Sequence, residues 1–193
     1  MTEQGEFLSK GKRGIVCLRE WDGRTIAVKT KNPLSTAPAR IDIEAQFLNK
    51  VNKHGIGPTF YFFADGELGM EYIKGELFEE FLPRHPKQDI RAVLMDLIDQ
   101  LFQLDQLGIT KEEMHHPTKH IIVRSGKPVL IDFERCRFTE KPKNVTQLVQ
   151  YLTSSRLSAQ LREKGFSLTG LRKWARTYEY SPLQIEELKK RIS

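Results

Sequence analysis

The chain has 193 residues, of which 39% are hydrophobic and 29% are charged, and its formal net charge is +6 at pH 7. This length suits one domain or two small lobes, and the apolar fraction is sufficient for a packed core. No apolar run approaches the roughly 18 residues that a membrane span requires, and residues 1–6 lack the pattern of a secretory signal. We therefore expect a cytoplasmic protein whose two cysteines, Cys17 and Cys136, are reduced thiols.

The positive charge is concentrated in the C-terminal third. Residues 135–193 contain 13 lysines and arginines against five acidic residues, a net charge of +8, whereas the preceding residues carry −2. Together with a pI near 9.3, this distribution predicts a polyanionic partner. The alternative interpretation is a solvated helical surface without a partner.

The first part of the chain has the patterns of a small sheet with one helix. The helix carries Ile41, Ala45, Leu48 and Val51 at helical spacing, and residues 54–58 end it. Strand and turn propensities give the remaining elements. The predicted elements are strands at 7–18, 24–30, 59–64 and 68–73 and a helix at 40–52.

From about residue 76 the period changes to that of helices. A long amphipathic helix at 88–106 has a wide apolar face. The other predicted elements are a short helix at 76–82, a hairpin of strands 120–124 and 129–133, and three helices across 144–192. This order predicts an α+β fold of two lobes, with an N-terminal lobe at 1–73 and a C-terminal lobe at 74–193.

Two predicted strands end in charged residues. The apolar run before Lys29 and the apolar run before Asp132 would each deliver a charged group to an exposed strand end. A lysine that holds phosphate oxygens and a carboxylate that holds Mg²⁺ are two parts of a kinase-type ATP site. Glu44 lies on the apolar stripe of the first helix, where a carboxylate needs a partner, and Lys29 is the candidate. The alternative is a solvated glutamate at the edge of the stripe.

Two further segments fit nucleotide binding. Residues Gly11, Lys12, Arg13 and Gly14 form a turn in which glycines allow close approach to phosphates and the basic residues add charge. The segment Glu71, Tyr72 and Ile73 lies where the sheet gives way to the helical half. A hinge there would present backbone groups to an adenine, although a simple strand end is the alternative.

Taken together, these residues resemble the protein-kinase superfamily. The resemblance covers roughly residues 8–150 and is nearest to its small atypical branch: RIO-type kinases, the small kinase of the tRNA threonylcarbamoyl-modification complex, and minimal archaeal predicted kinases. It implies a two-lobed kinase-like fold with ATP and Mg²⁺ as cofactors. It also implies Lys29 on the nucleotide phosphates, Glu44 paired with it, Asp132 on Mg²⁺, and a hinge at 71–74. The minimal archaeal group is similar to enzymes that phosphorylate an internal tRNA ribose 2′-hydroxyl.

The loop before the hairpin departs from the family pattern, which has an aspartate as the base and then an asparagine. Counting back from the strand places His115 and His120 at these two positions, whereas counting forward from Gly108 places Glu113 at the first. Either His115 or Glu113 could accept a hydroxyl proton near neutral pH, and the two remain alternatives. Lys119 could steady the γ-phosphate.

The histidines of this loop also bear on metal binding. His120 and Glu134 are alternative candidates for a second Mg²⁺ ligand, although imidazole matches a hard cation poorly. A zinc site built from His115, His116 and His120 is less favoured, because Pro117 interrupts a helix and no fourth ligand is evident.

The segment after Asp132 suggests the substrate. Glu134 replaces the glycine that usually follows Asp-Phe, and only about ten residues separate Phe133 from the next helix, too few for a peptide-binding platform. Basic residues dominate here and again near the C-terminus. The candidate substrate-binding residues are Arg135, Arg137, Lys141, Lys143, Arg172, Lys173 and Arg176.

The aromatic residues Trp174, Tyr178 and Tyr180 lie among the distal basic residues and could stack on bases. The alternative is that Trp174 and Tyr178, four residues apart, belong to the core. The favoured prediction is an ATP-dependent kinase that acts on an internal ribose 2′-hydroxyl of tRNA. Its partner is RNA, with neither DNA nor a membrane expected. The alternatives are a protein serine/threonine kinase and a pseudokinase that binds nucleotide or RNA.

Overall fold

The computed structural model describes residues 5–11, 13–34, 36 and 40–192. Lys12 of the predicted phosphate turn lies outside the described residues. The chain forms two compact units. The first contains residues up to Lys74 together with Ile131–Cys136, and the second contains Gly75–Leu130 and the residues from Arg137 onward. None of the described helices combines the length and the apolar character needed to cross a bilayer.

The first unit is a five-stranded antiparallel sheet with one helix. Its elements are β1 (Glu6–Lys10), β2 (Gly14–Trp21), β3 (Arg24–Lys31), α1 (Ile41–Asn52), β4 (Phe60–Ala64) and β5 (Glu67–Glu71). The strand order is β1-β2-β3-β5-β4, and each neighbouring pair is antiparallel. The prediction of a single strand at 7–18 was wrong, because Gly11 donates a backbone hydrogen bond to Gly14 (2.8 Å) and turns the chain.

The helix α1 buries the predicted stripe. Ile41, Ala45, Leu48 and Val51 are all at most 6% exposed. Asn52 fixes the exit from the helix, since its Nδ2 donates to the carbonyls of Ile56 and Pro58 and its Oδ1 accepts from Phe60 N.

The second unit is mostly helical. Its elements are β6 (Glu76–Leu77), α2 (Phe78–Arg84), α3 (Lys87–Gln106), β7 (Ile109–Lys111), a 3₁₀ helix (Glu112–His115), β8 (Ile121–Arg124), β9 (Lys127–Leu130), β10 (Cys136–Phe138), α4 (Asn144–Leu152), α5 (Ser155–Glu163), α6 (Leu171–Arg176) and α7 (Pro182–Arg191). Strands β6, β8 and β9 form one small sheet, and β7 pairs with β10. The predicted α+β class, with an N-terminal antiparallel sheet and a helical C-terminal part, is confirmed.

Three boundaries differ from the predictions. Residues 76–77 form a strand rather than the start of a helix, because they pair with Ile122 and Val123 of β8. The second hairpin strand ends at Leu130, since the backbone leaves the ladder before Asp132. Four helices, rather than three, lie in the described part of 144–192, because Thr153 and Ser154 separate α4 from α5.

Candidate active site

Lys29 is the centre of an ion-pair cluster in the first unit. It lies on β3 after the buried residues Ala27 and Val28, and its side chain crosses Gly14 of the neighbouring strand β2. A Cβ atom at Gly14 would lie 3.1 Å from Lys29 Cε, so glycine makes room for the lysine. The ammonium contacts Glu44 Oε2 at 2.5 Å. The structure therefore brings together the lysine and the glutamate that the sequence suggested as partners.

Glu44 is 1% exposed and uses both carboxylate oxygens. One oxygen binds Lys29, and the other accepts a hydrogen bond from Phe133 N at 3.3 Å. Phe133 is itself buried, and the position that a Cβ at Gly57 would take lies 3.0 Å from its ring. Because Gly57 also has a φ of +82°, this position requires glycine. Glu44 and Gly57 thus fix the position of Phe133, whose neighbours along the chain are Asp132 and Glu134.

Asp132 contacts the same ammonium from the other side. Its Oδ1 lies 3.0 Å from Lys29 Nζ, and its side chain is 32% exposed. Its φ of +64° lies in the left-handed region, which aspartate tolerates better than most residues. Such backbone strain is typical of functional sites.

Glu134, a candidate second Mg²⁺ ligand, also belongs to this cluster, through an ion pair that sequence reasoning missed. Its Oε1 accepts from Arg13 Nη1 at 2.9 Å, and its Oε2 lies 3.8 Å from Lys29 Nζ. The substitution of glycine by an acidic residue was visible in the sequence, but its partner Arg13 lies 121 residues away. No local pattern indicates a contact over that distance.

The electrostatics keep Lys29 charged. Burial disfavours the ammonium, but the negative charges of Glu44 and Asp132 outweigh this effect and raise the pKa of Lys29 above its ordinary value. The cluster contains three carboxylates and two cationic side chains, so it carries a formal net charge of −1.

The carboxylates of this cluster fit a divalent cation. One oxygen each from Glu44, Asp132 and Glu134 lie within 4.8 Å of one another, and carboxylate oxygens are ligands that Mg²⁺ prefers. Asp132 and Glu134 are the better candidates, because both oxygens of Glu44 are already engaged. The predicted ligand His120 belongs to the second unit and precedes β8. Among the described residues, no group of three potential ligands contains the loop histidines, so the zinc interpretation has no support.

The two candidate bases, Glu113 and His115, both lie in the second unit but differ in burial. Glu113 is 6% exposed and binds the fully buried Lys111 with an Oε2–Nζ distance of 3.2 Å. A buried, paired carboxylate is poorly placed to take a proton from a substrate. His115 is exposed, and its Nδ1 lies 2.6 Å from the carbonyl oxygen of Glu112. Since a carbonyl only accepts, Nδ1 of the neutral ring carries the hydrogen and Nε2 keeps a free lone pair.

The predicted hinge and phosphate turn lie in the first unit. Glu71 ends β5, and its carboxylate accepts from Thr59 N (3.1 Å) and Thr59 Oγ1 (3.0 Å). Tyr72 is half-buried, and Ile73 is buried. At the turn, Asn32 Nδ2 donates to the carbonyl of Gly11 at 3.1 Å, so the turn is tied to the residue that follows β3.

No protein-family model matches the chain. It is 29% identical over 100 residues to the KEOPS complex subunit Bud32 of Pyrococcus abyssi, which covers 50% of this chain and 44% of that protein. It is 27% identical over 95 residues to an uncharacterized protein of Methanocaldococcus jannaschii, which covers 49% of this chain and 81% of the relative. The chain therefore spans less than half the length of the Pyrococcus protein. The similarity supports a kinase-like relation.

The candidate substrate-binding residues of the second unit are not equivalent. Lys141, Lys143, Lys173 and Arg176 are exposed. Arg172 donates to the carbonyl of Thr153 at 2.7 Å and so caps the end of α4.

Two further candidates lie on either side of the unit boundary. Arg137 is exposed and pairs with Glu112 at 3.1 Å in the second unit. Arg135 is half-buried in the first unit. Lys119, the candidate partner of the γ-phosphate, is exposed.

The three distal aromatic residues make contacts within the second unit. Trp174 is 5% exposed, Tyr178 donates to Asp105 at 3.2 Å, and Tyr180 donates to the carbonyl of Pro142 at 3.0 Å. The base-stacking interpretation is therefore wrong for the buried Trp174, whereas for the half-buried Tyr178 and Tyr180 it stays a prediction. By contrast, Phe138 is 60% exposed next to Arg137, and the sequence analysis did not single it out.

Proposed function

We propose that the chain is an ATP-dependent phosphotransferase that moves the γ-phosphate to a hydroxyl group. The observation that supports this most directly is the position of Lys29 between Glu44 and Asp132, at 2.5 and 3.0 Å. A lysine held by a helix glutamate beside an acidic metal ligand is the arrangement that phosphoryl transfer by a kinase requires.

Four residues of the cluster, and His115 of the second unit, then have roles in this reaction. The ammonium of Lys29 and the guanidinium of Arg13 bind phosphate oxygens, while Glu44 keeps the lysine in place. Asp132 binds Mg²⁺, which when present offsets the negative charge of the transferred phosphoryl group. His115 accepts the hydroxyl proton at Nε2. A weak base is sufficient, because positioning and charge supply most of the catalysis.

The remaining predictions fit this proposal. The chain leaves the strand pattern after Glu71, and we retain residues 71–74 as the hinge that contacts an adenine. We also retain 1–73 and 74–193 as the two lobes. Gly11 and Gly14 shape the phosphate turn. A cytoplasmic location remains part of the proposal.

We propose RNA as the substrate, and specifically an internal ribose 2′-hydroxyl of tRNA. Only residues 134–143 separate Phe133 from α4, which is too short for a peptide platform. Lys141 and Lys143 in this segment are exposed, as is the aromatic ring of Phe138. Exposed rings among cations are typical of surfaces that stack on unpaired bases.

A pseudokinase is the second candidate. It is favoured by His115 and His120, which stand where the family has an aspartate and an asparagine. The name of the Pyrococcus relative, a complex subunit, is consistent with a scaffold that binds a protein partner. A protein serine/threonine kinase is the third candidate, and the short segment after Phe133 argues against it.

Transfer of label from γ-labelled ATP to total tRNA and to total cell protein separates these candidates. We expect label in tRNA. After digestion of the tRNA with nuclease, the label should be found on one nucleotide, as a 2′-phosphate. Asp132→Asn is the matched inactive variant, because asparagine tolerates a φ of +64° but removes the charge. Glu140→Gln, which changes an exposed acidic residue, should keep full activity. Label in protein alone would contradict the RNA proposal, and label in neither would favour a pseudokinase.

A further inference from the structure

The ion pair between Arg13 and Glu134 occupies groups that a nucleotide and its cation would need. Arg13 belongs to the glycine turn, and Glu134 stands two residues after the candidate metal ligand Asp132. The Nη1–Oε1 distance is 2.9 Å, and the second oxygen of Glu134 lies 3.8 Å from Lys29 Nζ. One carboxylate therefore attracts both cations that we assign to the phosphates.

This pair is suited to exchange, whereas the pair of Lys29 with Glu44 is not. The Arg13 side chain is 31% exposed and that of Glu134 is 12% exposed, so solvent weakens this pair from the Arg13 side. Lys29 and Glu44 are 11% and 1% exposed, so separating them would leave a buried charge without compensation. Arg13 can thus leave Glu134 more readily than Lys29 can leave Glu44.

Arg13 also has an unused donor. Its Nε atom is buried and makes no hydrogen bond, although its Nη1 is engaged by Glu134. A guanidinium has five N–H donors and can bind a second anion, and phosphate oxygens match its geometry. This orphaned donor points to an anionic ligand beside the cluster.

From these contacts we propose that Glu134 makes nucleotide binding conditional on a divalent cation; the inference rests on the function proposed above. Without the cation, the Glu134 carboxylate holds Arg13, competes for Lys29 and repels the phosphates. With the cation, Glu134 joins Asp132 as a ligand and releases Arg13 to the phosphate oxygens. Glu134 is thus a positioning residue in the free protein and a metal ligand in the loaded one.

The test is equilibrium binding of a fluorescent ATP analogue to the full chain, once with excess Mg²⁺ and once with EDTA. For the wild type we expect affinity to fall by at least about tenfold in EDTA. In Glu134→Gln we expect tighter binding than wild type in EDTA and weaker binding in Mg²⁺, so the ratio of the two dissociation constants approaches one. Glu140→Gln, an exposed residue of the same charge, should keep the wild-type ratio.

Arg13→Ala provides a second arm that does not depend on the folding of the Glu134 variant. Since Arg13 is released only when the cation is bound, its removal should weaken binding more in Mg²⁺ than in EDTA. Arg24→Ala, at an exposed position on β3, is the control. An unchanged cation ratio in Glu134→Gln, or an equal loss in both buffers for Arg13→Ala, overturns this inference alone. Failure of the wild type to bind the analogue in Mg²⁺ overturns the proposed function as well.

Discussion

Lys29 is the residue on which the ion pairs of the first unit converge. Its ammonium lies within 4 Å of oxygens from Glu44, Asp132 and Glu134. Of these three acidic residues, Glu44 is the most deeply buried, with 1% of its side chain exposed. The Glu44 carboxylate depends more on Lys29 than on the backbone N–H of Phe133. That N–H lies 3.3 Å away and is a weaker partner than an ammonium.

The burial of Glu44 leads to a prediction on stability. Lys29→Met should lower the free energy of unfolding by about 3–5 kcal/mol, because it leaves a buried carboxylate without its cation. The double variant Lys29→Met/Glu44→Met should recover much of this loss, since two apolar side chains of similar volume can replace a buried pair. Urea unfolding of the two single variants and the double variant measures the coupling. If the losses of the single variants simply add in the double variant, the two residues are not coupled.

The partnership of Lys29 and Glu44 could be predicted from the sequence, but the ion pair of Glu134 with Arg13 could not. Glu44 stands on an apolar helical stripe, and a carboxylate there requires a cation. Glu134 owes its position to the burial of Phe133 beside Gly57 and to Arg13 on a distant turn. Such contacts depend on tertiary packing, which spacing along the chain does not reveal.

Among the elements, α3 and α4 are joined by a buried polar network. Asn144, at the start of α4, donates from its backbone N and its Nδ2 to Asp105 in the last turn of α3, at 3.0 and 2.7 Å. The same amide donates to the carbonyl of Ile109 and accepts from Lys111 N. The network therefore fixes β7, which leads directly into the 3₁₀ helix that carries His115.

The ionisation of Asp105 should make stability depend on pH. Burial raises the pKa of Asp105 to about 6, although hydrogen bonds from Asn144, Val145 and Tyr178 oppose the shift. The folded state then holds this proton more tightly than the unfolded state, whose pKa is near 3.9. The contribution of Asp105 to the free energy of unfolding therefore falls as pH rises from about 4 to about 6, by roughly 2–3 kcal/mol.

Urea unfolding between pH 4 and pH 7 measures this contribution. Asp105→Asn cannot ionise, so the difference in stability between the variant and the wild type should change by that amount across the window. Asp99→Asn, which changes an exposed carboxylate of the same helix, should show a much smaller change. A pH-independent difference between Asp105→Asn and the wild type would mean that the carboxylate is not shifted.

The long elements follow from the sequence more closely than the short ones do. The apolar face of α3 predicted its core positions, and Ile90, Leu94, Leu97 and Leu101 are all 0% exposed. The break between α4 and α5 was missed, because neither glycine nor proline marks it. There, Thr153 Oγ1 donates to the carbonyl of Val149 at 2.8 Å. A side-chain hydroxyl thus supplies a hydrogen bond at the end of the helix.

For the whole molecule, the structure divides the basic C-terminal third into residues with structural contacts and residues that remain accessible. Arg172 caps α4, and Lys189 binds Asp99 at 2.6 Å. Lys141 and Lys143 are exposed, in the segment between β10 and α4. Net charge alone predicted a polyanionic partner, but it could not show which cations are accessible to one.

Exposed lysines that contact phosphates should give RNA binding a measurable dependence on salt. We expect Lys141→Ala/Lys143→Ala to weaken tRNA binding at low salt. It should also reduce the magnitude of the slope of log affinity against log salt by about 1.4 for single strands, because two phosphate contacts are lost and fewer counterions are released. Filter binding at several salt concentrations gives both quantities.

The matched control is Lys53→Ala/Lys127→Ala, which removes two exposed lysines from outside the C-terminal third and should retain the wild-type slope. Equal effects of the two double variants would mean that net charge alone governs the interaction, because general attraction depends on total charge whereas counterion release depends on the contacts made. A slope lowered only by the first variant places the RNA backbone on the segment that follows β10. That result would tie the short connection after Phe133 to substrate binding.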